Sequence, residues 1–475
     1  MSLTTDTDNL FQSDDQHRRA AIRAVKADAL AERGAPIKLA TKPLSVLVRE
    51  QYGKEPDAWV AESGFVVRRV GLESGKTKQL YRGHTGPVTS LAFYITPEGR
   101  EIMLSGSWDK SVKVWDVETK ACLSTTLAHI DFIKTLHVIP SLHILLTGSS
   151  DKDLRIFDLS GLDAIPPPTA GTVESTTSRE GAAPPPATAS NPLPCHLALK
   201  NHTRPIECIA SYPLLEPLPA GIEEDELDIR DRKQMGKWAV LSADSMGALK
   251  VWELWKDEEG RLKGEKRCEA RHHEAGVWDM MVGQEGELWT ASADSSILLS
   301  RLSLTSASIA PKPVLRIPHP AQVRSFLPLP LSPALLSLPS QPPLYLLTGA
   351  SDEVLRILDL SDVALDPDAA REAKRNWLGL PLPDGSLPDG CVKEVEAHTH
   401  EVVQLRAYTT AGENGRRDIW VLSASLDGTL RRWKWPDLLQ ETHEKVVLVE
   451  VNEEEQKESL LTEEEEAELE ALMAD

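Results

Sequence analysis

Six of the chain's thirteen histidines recur at one place: His84, His129, His202, His273, His319 and His398. Each is followed four residues later by an aliphatic side chain (Val88, Ile133, Ile206, Val277, Val323, Val402), and Ala40 with Leu44 gives a seventh, His-less unit. Two units continue with a hydroxyl, a carboxylate and an indole. These are Ser107, Asp109 and Trp115 after His84, and Ser425, Asp427 and Trp433 after His398. An imidazole beside a carboxylate is the pairing a general base uses, but such a base needs a nucleophile or a substrate atom within reach. The chain supplies no G-x-S-x-G, no G-x-x-x-x-G-K-[ST], no H-E-x-x-H and no G-x-G-x-x-G after a strand pattern. His272-His273-Glu274 and His398-Thr399-His400 come nearest to metal spacing, and each spends one imidazole on the recurrent place. We therefore expect no catalytic, cofactor-binding or metal-binding residues.

The elements that hold these side chains are legible around Gly83 to Asp116. Val88–Phe93, Glu101–Ser107 and Val112–Trp115 alternate apolar and polar residues, with Gly86-Pro87 and Asp109-Lys110 as punctuation. That spacing predicts three short antiparallel strands. The closing ends repeat too: Val70-Gly71, Trp115-Asp116, Phe157-Asp158, Trp252-Glu253, Ser300-Arg301, Leu358-Asp359 and Trp433-Lys434. Seven such units cannot bury both faces singly and must pack around a ring.

The Gly-His opening, the Trp-Asp close and the recurrence resemble the WD40 repeat over about Pro36 to Val451. The resemblance implies an all-β fold, a seven-bladed WD40 β-propeller over 36–451. In that family the His precedes the innermost strand and the Asp sits in the turn between the second and third strands. It implies buried hydrogen-bonded sets of His84, Ser107, Asp109 and Trp115, and of His398, Ser425, Asp427 and Trp433. Units four, five and six depart from the pattern, with Met246 at the Asp position, Ser300 at the Trp position, and Ala350 and Leu358.

Around this body the sequence predicts a polar, helix-compatible extension over 1–35 (Asp14 to Glu32) and an acidic helical tail over 452–475. Lys445–Val451 has the stronger β-propensity as the seventh unit's outer strand, with Pro36–Leu39 alongside. A Pro/Ala/Ser/Thr-rich insertion at 160–194 is expected to be disordered, and long loops are expected at 212–237, 328–343, 361–390 and 409–418. In a propeller all of these emerge on one face. The opposite face, bearing the His and Asp turns, stays short.

Formal net charge is −21, of which Glu450–Asp475 supplies −11, so direct nucleic-acid binding is not expected. No apolar run is long enough to span a membrane, and the first residues lack an apolar signal core. Five scattered cysteines without C-x-x-C favour a reducing compartment, cytoplasmic and/or nuclear.

What remains is recognition of protein partners on the short face. Trp108 stands in a tight turn where other units place Ser150, Ala293 or Ser351. It is the expected anchor, with Phe132, Arg204, Trp278, Gln322, Glu401 and Leu426 as companions. The expected function is a non-enzymatic scaffold or adaptor subunit of a multiprotein complex, with a basic partner as a candidate for the acidic tail. A ubiquitin-ligase substrate receptor and a propeller-based hydrolase are the alternatives. Receptors of the first kind often carry Arg two residues after the Trp-Asp close, where this chain has Glu118 and Ser160.

Overall fold

The computed structural model describes residues 14–51, 54–165, 192–217, 232–283, 286–329, 345–360, 390–411 and 417–440. Two units separate, Arg33–Thr442 on one side and residues 1–32 with 443–475 on the other. The first unit is a seven-bladed β-propeller of four-stranded antiparallel sheets. The second includes a helix, Asp14–Ala29, on which Ile22 and Val25 are exposed.

Blade two shows why the sequence folds this way. Val88–Ile95, Glu101–Ser107, Ser111–Asp116 and Cys122–Leu127 pair in order from the ring's centre outward. Its middle strands are buried on both faces, because each face packs on another blade. The other blades span residues 43–82, 133–200, 206–271, 277–318, 323–396 and 402–434. Seven apolar clusters result, one in each gap between blades. Trp59, Tyr81, Met103 and Trp115 fill the gap from blade one to two. Ile37, Val46, Val70, Tyr408 and Leu430 fill the gap from seven back to one.

The gaps are narrow at one recurrent position of the second strand, filled only by Ala61, Gly106, Gly148, Ala243, Ala291, Gly349 and Ala424. A Cβ on Gly106 would come within 2.8 Å of Ile133, and one on Gly349 within 2.5 Å of Val402. Small side chains there let the innermost strand of the next blade approach. Side chains then staple blade to blade. The Leu136 N–H donates to Ser90 Oγ at 3.0 Å, and the Leu405 N–H to Ser325 Oγ at 3.1 Å.

The ring is closed by Ile37–Lys38, which pairs antiparallel with the outer edge of Thr429–Lys434 (Ile37 opposite Leu430). That edge was expected to belong to Lys445–Val451, which lies outside the described residues. Burial decides the matter, for Ile37 is 6% exposed inside the closing cluster. Blade one also corrects the register by one residue. Pro43, not Leu44, faces Glu62 as Val88 faces Ser107, ahead of the same bulge.

Several expected loops are shorter than their sequence composition implied. Ile206–Leu215 and Gln234–Asp244 extend into the 212–237 loop, and Val323–Leu329 into 328–343. Val402–Ala411 and Arg417–Ser425 enter 409–418. At the ends of the 160–194 insertion, Leu162 and Leu193 are buried in the cluster between blades two and three. The rest of that insertion, nearly all of 361–390 and the acidic tail lie outside the described residues. Because the sheets alternate strand direction, the described strand ends that flank these insertions lie on the face opposite the His and Asp turns.

Candidate functional site

The short face is organised by the His-Asp pairs. In blade two His84 Nδ1–H donates to Asp109 Oδ2 at 2.8 Å, and His84 Nε2 meets Ser105 Oγ at 2.8 Å. Trp115 Nε1–H donates to the same Ser105 oxygen at 2.8 Å. With Nδ1 committed as donor, Nε2 must accept, so the Ser105 hydroxyl donates to His and receives from Trp, and every member is satisfied. This corrects the expected set. Ser107 is buried one pleat further on, donating to the Gly86 carbonyl and accepting the Asp109 N–H. Blade seven repeats the geometry with His398, Asp427, Trp433 and Ser423, while Ser425 donates to the His400 carbonyl. Two residues apart on one strand means the same sheet face, so sequence spacing alone could not choose between the two serines.

A third complete set, which sequence reasoning missed, lies in blade four. His202 meets Asp244 at 3.2 Å and Ser242 at 2.7 Å, and Trp252 donates to Ser242. The carboxylate comes from the position of Ser107 rather than that of Asp109, where Met246 stands. Blades three and five use Thr147 and Thr290 as the hydroxyl, with Asp151 and Asp294, and lack the indole. In blade six His319 turns its Nδ1 to the Ala321 carbonyl, because Asp352 is drawn to Arg356 at 2.6 Å. Blade one replaces the device with buried Glu62, held by Thr41 and Arg68.

These groups are spent on one another. Burial alone would raise the Asp109 carboxyl, but hydrogen bonds and charge from His84, with Ser111 and the Thr85 N–H, hold it far below the usual carboxylate range. Asp427 is held low in the same way by His398 and Thr429, and Asp151 falls to about 2 through His129. Burial pushes the His398 imidazole down. A carboxylate so stabilised is a poor proton acceptor. Among the described residues no group of three His, Cys, Asp or Glu side chains could hold a metal.

The seven expected binding residues all lie at the rim or mouth of this face. A backbone contact repeats around the ring: the first residue of each Asp turn donates its N–H to the carbonyl of the residue just before its own blade's innermost strand. Trp108 donates to Pro87 at 3.0 Å, Ser150 to Phe132 at 2.9 Å, Ser351 to Gln322 at 2.9 Å and Leu426 to Glu401 at 3.1 Å. The structure joins the candidates into two groups. Trp108 and Phe132 stack, ring centroids 5.1 Å apart and planes 20° from parallel. They are 41% and 40% exposed. The second group is bridged by Arg324, which sequence reasoning did not single out. Its guanidinium lies 3.7 Å over the Trp278 ring and bonds Glu401 at 2.8 Å, tying blades five, six and seven together. Arg204 and Gln322 are exposed and join neither group. Leu426 is half-buried. The signal for Arg324 was its place one residue after the recurrent aliphatic, the position of Trp278.

Inside the ring, Asp279 and Arg406 share a buried setting. Burial raises the Asp279 carboxyl and lowers the Arg406 guanidinium, each partly offset by the other's charge. Ser325 Oγ donates to Asp279 at 2.8 Å. Through Ser325, which also accepts the Leu405 N–H, these groups join blades five, six and seven.

Comparison with known proteins points the same way. The WD domain, G-beta repeat model matches residues 75–116 and 120–158. An uncharacterized WD repeat-containing protein of Schizosaccharomyces pombe is 26% identical over 271 residues, 56% of this chain and 59% of that protein. An F-box/WD-40 repeat-containing protein of Arabidopsis thaliana is 36% identical over 108 residues, 22% of this chain and 18% of its own length. The ribosome biogenesis protein ytm1 of Pyrenophora tritici-repentis is 34% identical over 79 residues, 16% of each chain. The aligned part covers less than two thirds of each of these relatives.

Proposed function

The chain is a WD40-repeat β-propeller, a class of generally non-enzymatic protein-interaction scaffolds, and from that premise we propose that it is an adaptor subunit that docks protein partners on its short face. The observation that carries this reading is the exposed Trp108–Phe132 stack. Two aromatic rings held in water by rigid turns are costly unless something covers them, and such residues dominate interface energetics. The His-Asp sets beneath them make the turns stiff, so little ordering entropy is lost on docking. All five cysteines are unpaired, which supports a reducing compartment, cytoplasmic or nuclear.

The test is affinity purification of the intact protein and of its Trp108→Ala and Arg204→Glu variants, with identification of the co-purifying chains. Loss of at least one partner with the fold intact is expected. An unchanged set of partners with both variants would overturn the short-face assignment.

A further inference from the structure

Around the Trp108–Phe132 stack, the exposed charges have the opposite sign to the protein as a whole. The chain carries −21, yet the groups at the turns of blades two and three are cations. Lys110 and Lys152 occupy equivalent left-handed turn positions, φ 70° and 73°. Both are exposed, as is Arg204 at the entry to blade four, and no ion pair engages any of the three among the described residues. Of the neighbouring acids, Asp109 and Asp151 accept from His84 and His129, and Glu207 holds Lys134. Half-buried Asp131 bonds only backbone, the Phe132 N–H, and keeps its charge beside the rings. Beside the rings, Ile130 is 75% exposed, its backbone pinned by Asp151.

Apolar surface bordered by uncommitted cations recognises a particular chemistry. We propose that the rim of blades two and three docks an acidic segment of a partner protein. An aliphatic or aromatic side chain of that segment covers Trp108, Phe132 and Ile130, and its carboxylates meet Lys110, Lys152 and Arg204. This rests on the short face being the docking face. The apolar anchor supplies most of the affinity and the charges supply orientation and on-rate. Three cations on a chain of this net charge are too few for a nucleic acid, whose long-range repulsion would have to be overcome first.

The test is fluorescence anisotropy on the full-length protein. The probes are labelled polyglutamate nonapeptides with a central Phe, Leu or Ala, a polylysine nonapeptide with a central Phe, and a short oligothymidine. The Phe or Leu peptide is expected to bind, with about tenfold weaker binding for the Ala peptide and none for polylysine. Trp108→Ala and Phe132→Ala should each weaken it by about tenfold, and Lys110→Glu with Lys152→Glu by at least as much. Added salt should weaken it further. No binding by either acidic peptide, binding indifferent to these variants, or preference for the oligothymidine would overturn the proposal. A chain with Glu463–Glu466 changed to Gln covers one more outcome. If the peptides bind only that chain, its own acidic tail occupies the rim, and the assignment to a partner falls. Failure here while Trp108→Ala still strips co-purifying chains would leave the docking face standing and remove only this ligand class.

Discussion

At the residue scale, one hydroxyl per blade does the joining. Ser105 is shared by an imidazole and an indole, so removing it leaves His84 Nε2 and Trp115 Nε1–H buried without partners, a loss of about 1–3 kcal/mol. Removal of Ser107 frees only backbone groups. A double-mutant cycle in urea therefore separates the two roles. Ser105→Ala combined with Trp115→Phe should be non-additive by about 0.5–3 kcal/mol, whereas Ser107→Ala with Trp115→Phe should add within about 0.5 kcal/mol. Additivity in both cycles would refute the network drawn here. The sequence showed which histidines and tryptophans belong together because their types are rare and their spacing is fixed. It could not separate Ser105 from Ser107, or find that Asp244 reaches His202, because neighbours on one pleated face share a period and only side-chain reach tells them apart.

At the element scale, the strands were legible wherever an aliphatic residue follows a recurrent His, since that residue fills the gap between blades. Blade one lacks the His, and its register slipped by one. The closing strand was misjudged for a related reason. β-propensity is a local quantity, whereas Ile37–Lys38 is selected by the edge it meets and by the pocket that receives Ile37. The small residues at Gly106 and its equivalents were visible but carry meaning only once the adjoining blade is in place. Ile37→Asp puts an unpaired charge into that pocket and should cost about 3 kcal/mol or more. Hydrogen exchange should then speed up in Thr429–Lys434 and not in Ser111–Asp116. Equal exchange in the two strands would mean that Ile37–Lys38 does not close the ring.

At the scale of the whole molecule, buried imidazoles set how stability depends on acidity. Burial, together with the Arg356 charge, pushes His319 down to about 4, and Asp352 gives it little help because it is paired with Arg356. Burial lowers His137 to about 4 as well and lowers His398. Each folded-state value lies below the unfolded value of about 6.5, so the unfolded chain binds more protons as pH falls. Their stabilisation is complete above about pH 6.5 and is lost towards pH 4, with His319 alone accounting for a loss on the order of 3 kcal/mol. The depressed carboxylates, such as Asp151 at about 2, begin to matter only below about pH 4. Urea unfolding between pH 7 and 4 should show this fall, and His319→Gln should reduce the slope by about one proton. An unchanged slope would place the proton uptake elsewhere.

The pairing of Ile37 with Leu430 also has a temporal side. About 390 residues separate the two partners, so at ordinary synthesis rates Ile37 emerges from the ribosome roughly 20–80 s before Leu430 exists. Throughout that interval the flank of blade one that carries Val46 and Val70 has nothing to lean on. The nascent chain thus holds an oily, open-ended stack in the presence of chaperones until its last blade arrives. Any lesion that stalls translation before Thr429 would release a product that cannot shut.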